Sequence, residues 1–232
     1  MADDRLPDLG VAGESARRNA QRLRERREQR AASRSGLARL AAAVVGPPAK
    51  EKRLLAREKQ WATGAEGEQT IAEMLAHRCP DTPVLHDRRM PRSRANIDHL
   101  AFAASGIYVI DTKRYRGKIE VTKPLFGQAK LKIAGRDRTK LIDGLARQVE
   151  AVTATLETLA DDVPVHGCLC FAAPEGFFAD RGLPLLRTLR INSYPLYYPR
   201  RLAKRLNSDG TLTADRARAL CAEIAERLPP AG

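Results

Sequence analysis

Two apolar runs, Ile97–Ala103 and Ile107–Thr112, flank the short break Ala104-Ser105-Gly106 in the middle of the chain. Runs of this length around a turn signal predict a β-hairpin. With the turn centred between Ala104 and Ser105, Leu100 lies opposite Val109, Phe102 opposite Ile107, Asp98 opposite Asp111 and Asn96 opposite Lys113. Residues directly opposite share a face, and so do residues two apart along one strand. Asp98, Asp111 and Lys113 therefore emerge together at the open end of the hairpin. A slip of one residue would send the two carboxylates to opposite faces. Both faces of the hairpin are mostly apolar, which predicts central strands.

Elsewhere the pattern alternates between helical and extended spacing. Ile71, Met74 and Leu75 share one helix face, and Glu68 lies on it one or two turns earlier. Gly64 and Gly67 would let the start of that helix approach another backbone. Pro83–Asp87, Lys118–Thr122, Lys130–Ala134, Val163–Phe171 and Leu185–Leu196 read as further strands, the second and third joined by Pro124–Gln128. Leu141, Leu145, Val149, Val152 and Leu156 repeat at threes and fours and predict a helix over Thr139–Leu159. Pro199 opens a short basic helix, and Thr213 caps a last one, Ala214–Leu228.

The first sixty residues differ in kind. Residues 1–13 are polar and are expected to be disordered. Glu14–Arg34 is rich in helix formers but has Leu23 as its lone large aliphatic, so a solvated helix is expected. Gly36–Val45 predicts a small apolar helix, ended by the breaker Gly46-Pro47-Pro48, and Lys50–Trp61 a charged helix. The whole predicts an α/β fold: a mixed central sheet with helices on both sides, plus a basic helical extension. The expected division is an extension over 1–60, a core over 61–205 and a C-terminal helix over 206–232 packing on that core.

Charge sharpens this picture. The chain of 232 residues has a formal net charge of +13. Residues 1–60 hold 15 Lys+Arg against 8 Asp+Glu, and residues 113–140 hold 10 against 2. The natural partner is a polyanion. Cys79, Cys168, Cys170 and Cys221 have no regular spacing, and no secretory signal is legible, so reduced thiols in a cytoplasmic protein are expected. Cys168 and Cys170 share a strand face, where core cysteine is a better reading than half a zinc site. No apolar run has the length of a membrane span, Leu37–Val45 being far too short, and membrane contact is not expected. His99 and His166 lie in apolar strands and read as core histidines.

Two carboxylates at one hairpin end repel each other unless a cation compensates them. Mg²⁺ suits such hard oxygen donors, and a lysine beside it can orient water or offset charge on phosphate. Spacing alone leaves a second reading open, a surface hairpin end with a Lys–Asp ion pair. For Glu68 the plain reading is an acidic first turn that complements the helix dipole.

Ile97-Asp98-His99, Gly106–Lys113 and Gly64–Glu68 together resemble the nuclease-related (NERD) domain, over roughly Gly64 to Ala172. That domain resembles the PD-(D/E)XK nucleases, although Ile97 stands where their name-giving proline would be. The resemblance implies a restriction-endonuclease-like fold and a Mg²⁺- or Mn²⁺-dependent nuclease with no small-molecule cofactor. It implies Asp98, Asp111 and Glu68 as metal ligands with the Thr112 carbonyl, and Lys113 as the catalytic lysine. Gln148 would support the site, a solvent-facing glutamine being the other reading. The substrate would be DNA or RNA. Arg88, Arg89, Arg92 and Arg94 in the loop before Asp98 could grip phosphates, and so could Arg114, Arg116, Lys118, Arg136, Arg138 and Lys140 after the site. The alternative is a non-catalytic nucleic-acid-binding module on the same fold.

Overall fold

The computed structural model describes residues 7–124, 127–159, 162–172, 182–184 and 187–231. Three helices come first: α1 (Glu14–Ala32), α2 (Gly36–Val45) and α3 (Ala49–Arg78). Then follow β1 (Val84–Arg89), β2 (Asn96–Ala103), β3 (Gly106–Lys113), β4 (Ile119–Thr122), β5 (Lys130–Ile133) and β6 (Arg136–Asp137). The chain continues through α4 (Lys140–Glu157), β7 (Val165–Phe171), β8 (Leu189–Ile191), β9 (Tyr194–Tyr197), α5 (Pro199–Leu206) and α6 (Ala214–Arg227).

The central sheet has six strands in the order β1-β2-β3-β7-β9-β8. Its outer pairs are antiparallel, while β3, β7 and β9 run parallel. The sheet is therefore mixed, as expected, and the hairpin lies inside it. Leu100 pairs with Val109 and Phe102 with Ile107, the expected register. One face packs against α4 and α6 through Leu100, Phe102, Val109, Leu145, Val152 and Leu220. The other packs against α3 and α5 through Ile71, Leu75, Ile110, Cys168, Cys170 and Leu202. β4, β5 and β6 form a separate small sheet, whose Ile119, Leu131 and Ile133 join the first core. All four cysteines are buried and unpaired. Among the described residues no helix is long and apolar enough to cross a membrane.

Four expectations need correction. The charged helix and the Glu68 helix are one continuous α3 of 30 residues. Gly64 and Gly67 lie inside it because packing on the sheet outweighs their propensity cost. The strand expected over Leu185–Leu196 is a hairpin, turned at Asn192 with φ 54°; Leu185 and Leu186 lie outside the described residues. Residues 1–6 also lie outside them, but residues 7–13 are held rather than disordered: His86 N–H donates to Leu9 O at 2.7 Å and Arg88 to Asp8 O at 2.8 Å. Finally, α1 is not simply solvated. It lies along α3, burying Ala16 and Leu23 and pairing Arg27 with Glu58 at 3.0 Å.

β1 is an outer strand, and its unpaired edge is covered by chain from both flanks. Leu9 bonds it from one side of the sequence, and Pro229 and Ala231 bond Arg89 and Asp87 from the other. This covering removes an open template for edge-to-edge pairing.

Candidate active site

The open end of the hairpin departs from a regular ladder. Backbone pairing between β2 and β3 stops at His99 and Ile110, and β3 continues to Lys113 on the support of β7. Beyond that point a side chain replaces the missing main-chain partner: Asp98 Oδ2 accepts the Thr112 N–H at 2.7 Å. Lys113 Nζ donates to Asp111 Oδ1 at 2.5 Å and to the Thr112 carbonyl at 3.1 Å. Asp98 and Asp111 are both buried. The hairpin thus brings Asp98, Asp111, Thr112 and Lys113 together.

Glu68 arrives from α3. The helix lies close against the strand at Gly67, where an added Cβ would meet Arg114 Cβ at 3.2 Å and Thr112 Cγ2 at 3.6 Å. Glu68 is 7% exposed, and its Oε2 is buried with no hydrogen-bond partner. Burial, then the charges of Asp87 and Asp111, raise its carboxyl to about 7, against relief from Lys113 and the Gly13 N–H. Asp98 is pushed well above the usual carboxylate range by burial and by Glu68 and Asp111. For Lys113 burial favours the neutral amine, but Asp111 and Asp98 outweigh it and the ammonium is held above its ordinary value. The mutual influence of these groups shows that the carboxylates and the ammonium share one electrostatic neighbourhood.

These residues lie in a cleft of about 720 Å³. Gln148 reaches it from α4, buried, with Oε1 unpartnered, so the solvent-facing reading is set aside. Trp61 and Tyr115 also line it, and neither was singled out from the sequence. Trp61 precedes Glu68 by two helical turns, a spacing that would have placed it on the same face once α3 was known to be continuous.

A second group was also missed. Asp87 stands opposite Asp98 in the β1–β2 register, but its φ of 48° takes it out of the ladder. Its carboxylate accepts Ser15 N–H at 2.5 Å, Ser15 Oγ at 2.7 Å and Asn96 Nδ2 at 2.6 Å. Gly13, just before, has φ 71°, and a Cβ there would meet the Ala65 carbonyl at 2.8 Å. The start of α1 is thereby fastened to α3 and β1 beside Glu68. No sequence spacing links Ser15 to Asp87.

The basic residues divide. Arg88 does not grip phosphate: it is fully buried, and its guanidinium donates to the carbonyls of Leu228, Ala225 and Asp8. Arg89, Arg92, Arg94, Arg116, Arg136 and Lys140 are exposed. Lys118, also exposed, pairs with Glu120 at 2.7 Å. Arg114 pairs with Glu66, and the Arg138 guanidinium lies 5.5 Å from the Tyr115 ring centroid. His99 is a core residue. Its Nδ1 faces His86 Nδ1 at 2.8 Å, and burial pushes His99 well below the ordinary range and His86 to about 4.

Among the described residues no three His, Cys, Asp or Glu groups form a ready-made metal cage. The groups that line this cleft together, Glu68, Asp98 and Asp111 with Thr112, offer oxygens alone without closing such a cage. Such a set fits Mg²⁺ or Mn²⁺, which takes one or two carboxylates and completes its shell with water and phosphate oxygens. Glu68 Oε2 is left without a partner, and burial with the neighbouring carboxylates holds Glu68 and Asp98 above the ordinary carboxyl range.

Residues 63–172, just under half of the chain, match the model of the family described as the nuclease-related domain, NERD. The likeness to PD-(D/E)XK nucleases is consistent with that name. No curated protein and no solved structure matches the chain.

Proposed function

We propose that the nuclease-related domain carried by this chain is a divalent-metal-dependent phosphodiesterase acting on nucleic acid. The observation behind this reading is the buried trio Glu68, Asp98 and Asp111, short of compensating charge and set beside Lys113 in an open cleft. Asp98 and Asp111 would hold the ion with Glu68 and the Thr112 carbonyl. A bound Mg²⁺ or Mn²⁺ would polarise the scissile phosphate and lower the pKa of an attacking water. Lys113, whose ammonium is favoured against burial by Asp111 and Asp98, would offset negative charge on the phosphate from the Asp111 side. Glu68, with a carboxyl near neutrality, can release a proton as the site gains positive charge. Gln148 lines the same cleft with its buried Oε1 free of protein partners, and it could help to orient water there. The exposed cations Arg116, Arg136 and Lys140 would follow the backbone without reading bases.

The test is a cleavage assay with Mg²⁺ or Mn²⁺ on mixed DNA and RNA, with Asp111→Asn and Lys113→Met beside the wild type. Metal-dependent cleavage lost in both variants is the expected result. The second reading, a binding module without catalysis, draws on the lack of a ready cage and on the Lys113–Asp111 ion pair. Wild-type chain that cleaves nothing, with both variants binding like wild type, would leave that reading in place of ours.

A further inference from the structure

We propose that the cleft admits a single nucleic-acid strand and seats its bases on Trp61 and Tyr115. This rests on the nuclease reading above and names the substrate form for the same site. The carboxylates lie on the floor of a slot, not on a ridge: Asp98, Asp111 and Glu68 are each at most 7% exposed. Its walls are formed by α3 upstream of Glu68, by Tyr115 and Leu141, and by Ala16 of α1. A duplex turns its bases inward and offers its phosphates on a stiff convex surface. To bring a phosphate to this floor it would have to enter between the walls. A single strand bends into such a slot and exposes the π face of every base.

The walls carry what a single strand uses. Trp61 is 40% exposed, an unusual setting for the largest apolar side chain, and it opens onto the cleft. It lies on the stripe Trp61–Ala65–Glu68, about 10 Å along the helix axis from Glu68. A base stacked there belongs to a nucleotide near the scissile one. Arg57, one turn before Trp61, and Lys59 line the same wall and can meet the adjoining phosphates. Tyr115, in the same lining, follows Lys113 by two residues, and Arg138 holds its ring by a cation–π contact. Trp61, exposed and with Arg57 and Lys59 in the same lining, is the open aromatic surface, and Tyr115 adds a partly buried ring to the site. An aromatic surface beside cations, with no base-reading polar group required, binds single strands without sequence preference.

Trp61 is the one tryptophan in the chain, so its fluorescence reports on this wall alone. The full-length Asp111→Asn chain, without metal, is titrated with short oligothymidylate, oligouridylate and a hairpin duplex, reading tryptophan emission and the anisotropy of dye-labelled strands. Both single strands are expected to change Trp61 emission and to bind about tenfold more tightly than the duplex. Trp61→Ala is expected to weaken single-strand binding about tenfold, and Trp61→Phe to restore most of it. Duplex binding as tight as single-strand binding, unaltered emission, or Trp61→Ala binding like its parent would each overturn the proposal. Trp61→Phe and the emission of the parent chain keep the test decisive if Trp61→Ala fails to fold. Cleavage of duplex in preference to single strands would remove this inference and leave the nuclease reading. Selective single-strand binding by a wild-type chain that cleaves nothing would do the reverse.

Discussion

Asp87 and the trio Glu68, Asp98 and Asp111 are carboxylates buried at the same end of one sheet, yet they are provided for differently. Asp87 accepts three hydrogen bonds from neutral donors on two other segments of the chain. Asp98 accepts one from Thr112, Glu68 leaves Oε2 with none, and both compete for the field of Lys113. A buried carboxylate with a full set of donors is a fastening and needs nothing more. One left short costs free energy until something positive arrives. The local supply of donors, more than burial or sequence position, separates the pin from the site.

The largest effect that tests this contrast is on chemistry. Asp111→Asn and Lys113→Met should each lower single-turnover cleavage by at least about a hundredfold. Asp87→Asn, assayed where it is folded, should leave the rate within a few-fold of wild type. An equally deep loss in Asp87→Asn would erase the distinction.

Stability should show the reverse order. Asn at 87 turns an amide N–H₂ toward donors from Ser15 and Asn96, so unfolding in urea should shift by about 1–3 kcal/mol. Asp111→Asn removes a charge from a crowded group, and the metal-free chain should lose less than Asp87→Asn does.

The pH dependence follows from the shifted groups. Glu68 keeps its proton in the folded chain up to about 7, whereas its ordinary value is 4.5. The folded state then holds more protons than the unfolded one across that window, so stability falls as pH rises through it. The ceiling for this one group is about 3 kcal/mol, and Asp98 acts in the same direction. His86, pushed from 6.5 to about 4, acts in the opposite one: its contribution is complete above 6.5 and is lost as pH falls toward 4. Melting of the metal-free chain should therefore peak in mildly acidic buffer. Glu68→Gln should flatten the neutral side of that peak, and a curve unchanged by Glu68→Gln would show that the carboxyl is already compensated.

The smallest effects are on affinity. Arg116→Ala and Arg136→Ala should each reduce the log–log salt slope of single-strand binding by about 0.7 if they touch phosphate. Arg88→Ala should instead destabilise the fold, because it strips donors from three carbonyls.

The hairpin register was legible from the short turn at Ala104-Ser105-Gly106, because strands apolar on both faces do not fix it by their own pattern. Helical spacing put Glu68 on the face of Ile71 and Leu75, but its place beside the hairpin carboxylates came from the family resemblance, since spacing alone favoured an acidic first turn. What escaped depended on contacts distant in sequence. Arg88 reads as one of a solvent-facing arginine cluster until Leu228 and Ala225 of the C-terminal helix region are brought beside it. Asp87 reads as a strand residue in a regular alternation, and a single left-handed φ redirects it. Gly64 and Gly67 read as the start of a helix, but α3 runs through both, and at Gly67 the missing side chain is what lets the helix lie against β3. The hairpin at Asn192 did carry a signal, an Asn-Ser pair between apolar residues, outweighed in the reading by the apolar content around it.

The unbroken course of α3 bears on how this domain could be moved between proteins. The family's span opens partway along that helix and closes just after β7. Excised at those borders, the segment would start in mid-helix without Trp61 or the Ser15 clasp. It would also leave β7 a bare edge where β9 belongs, and forfeit Leu220 and Ile224 from its interior. The matched span is therefore smaller than the unit that packs together in this chain. A graft of that span into another host must bring α1, all of α3 and the chain through α6 with it.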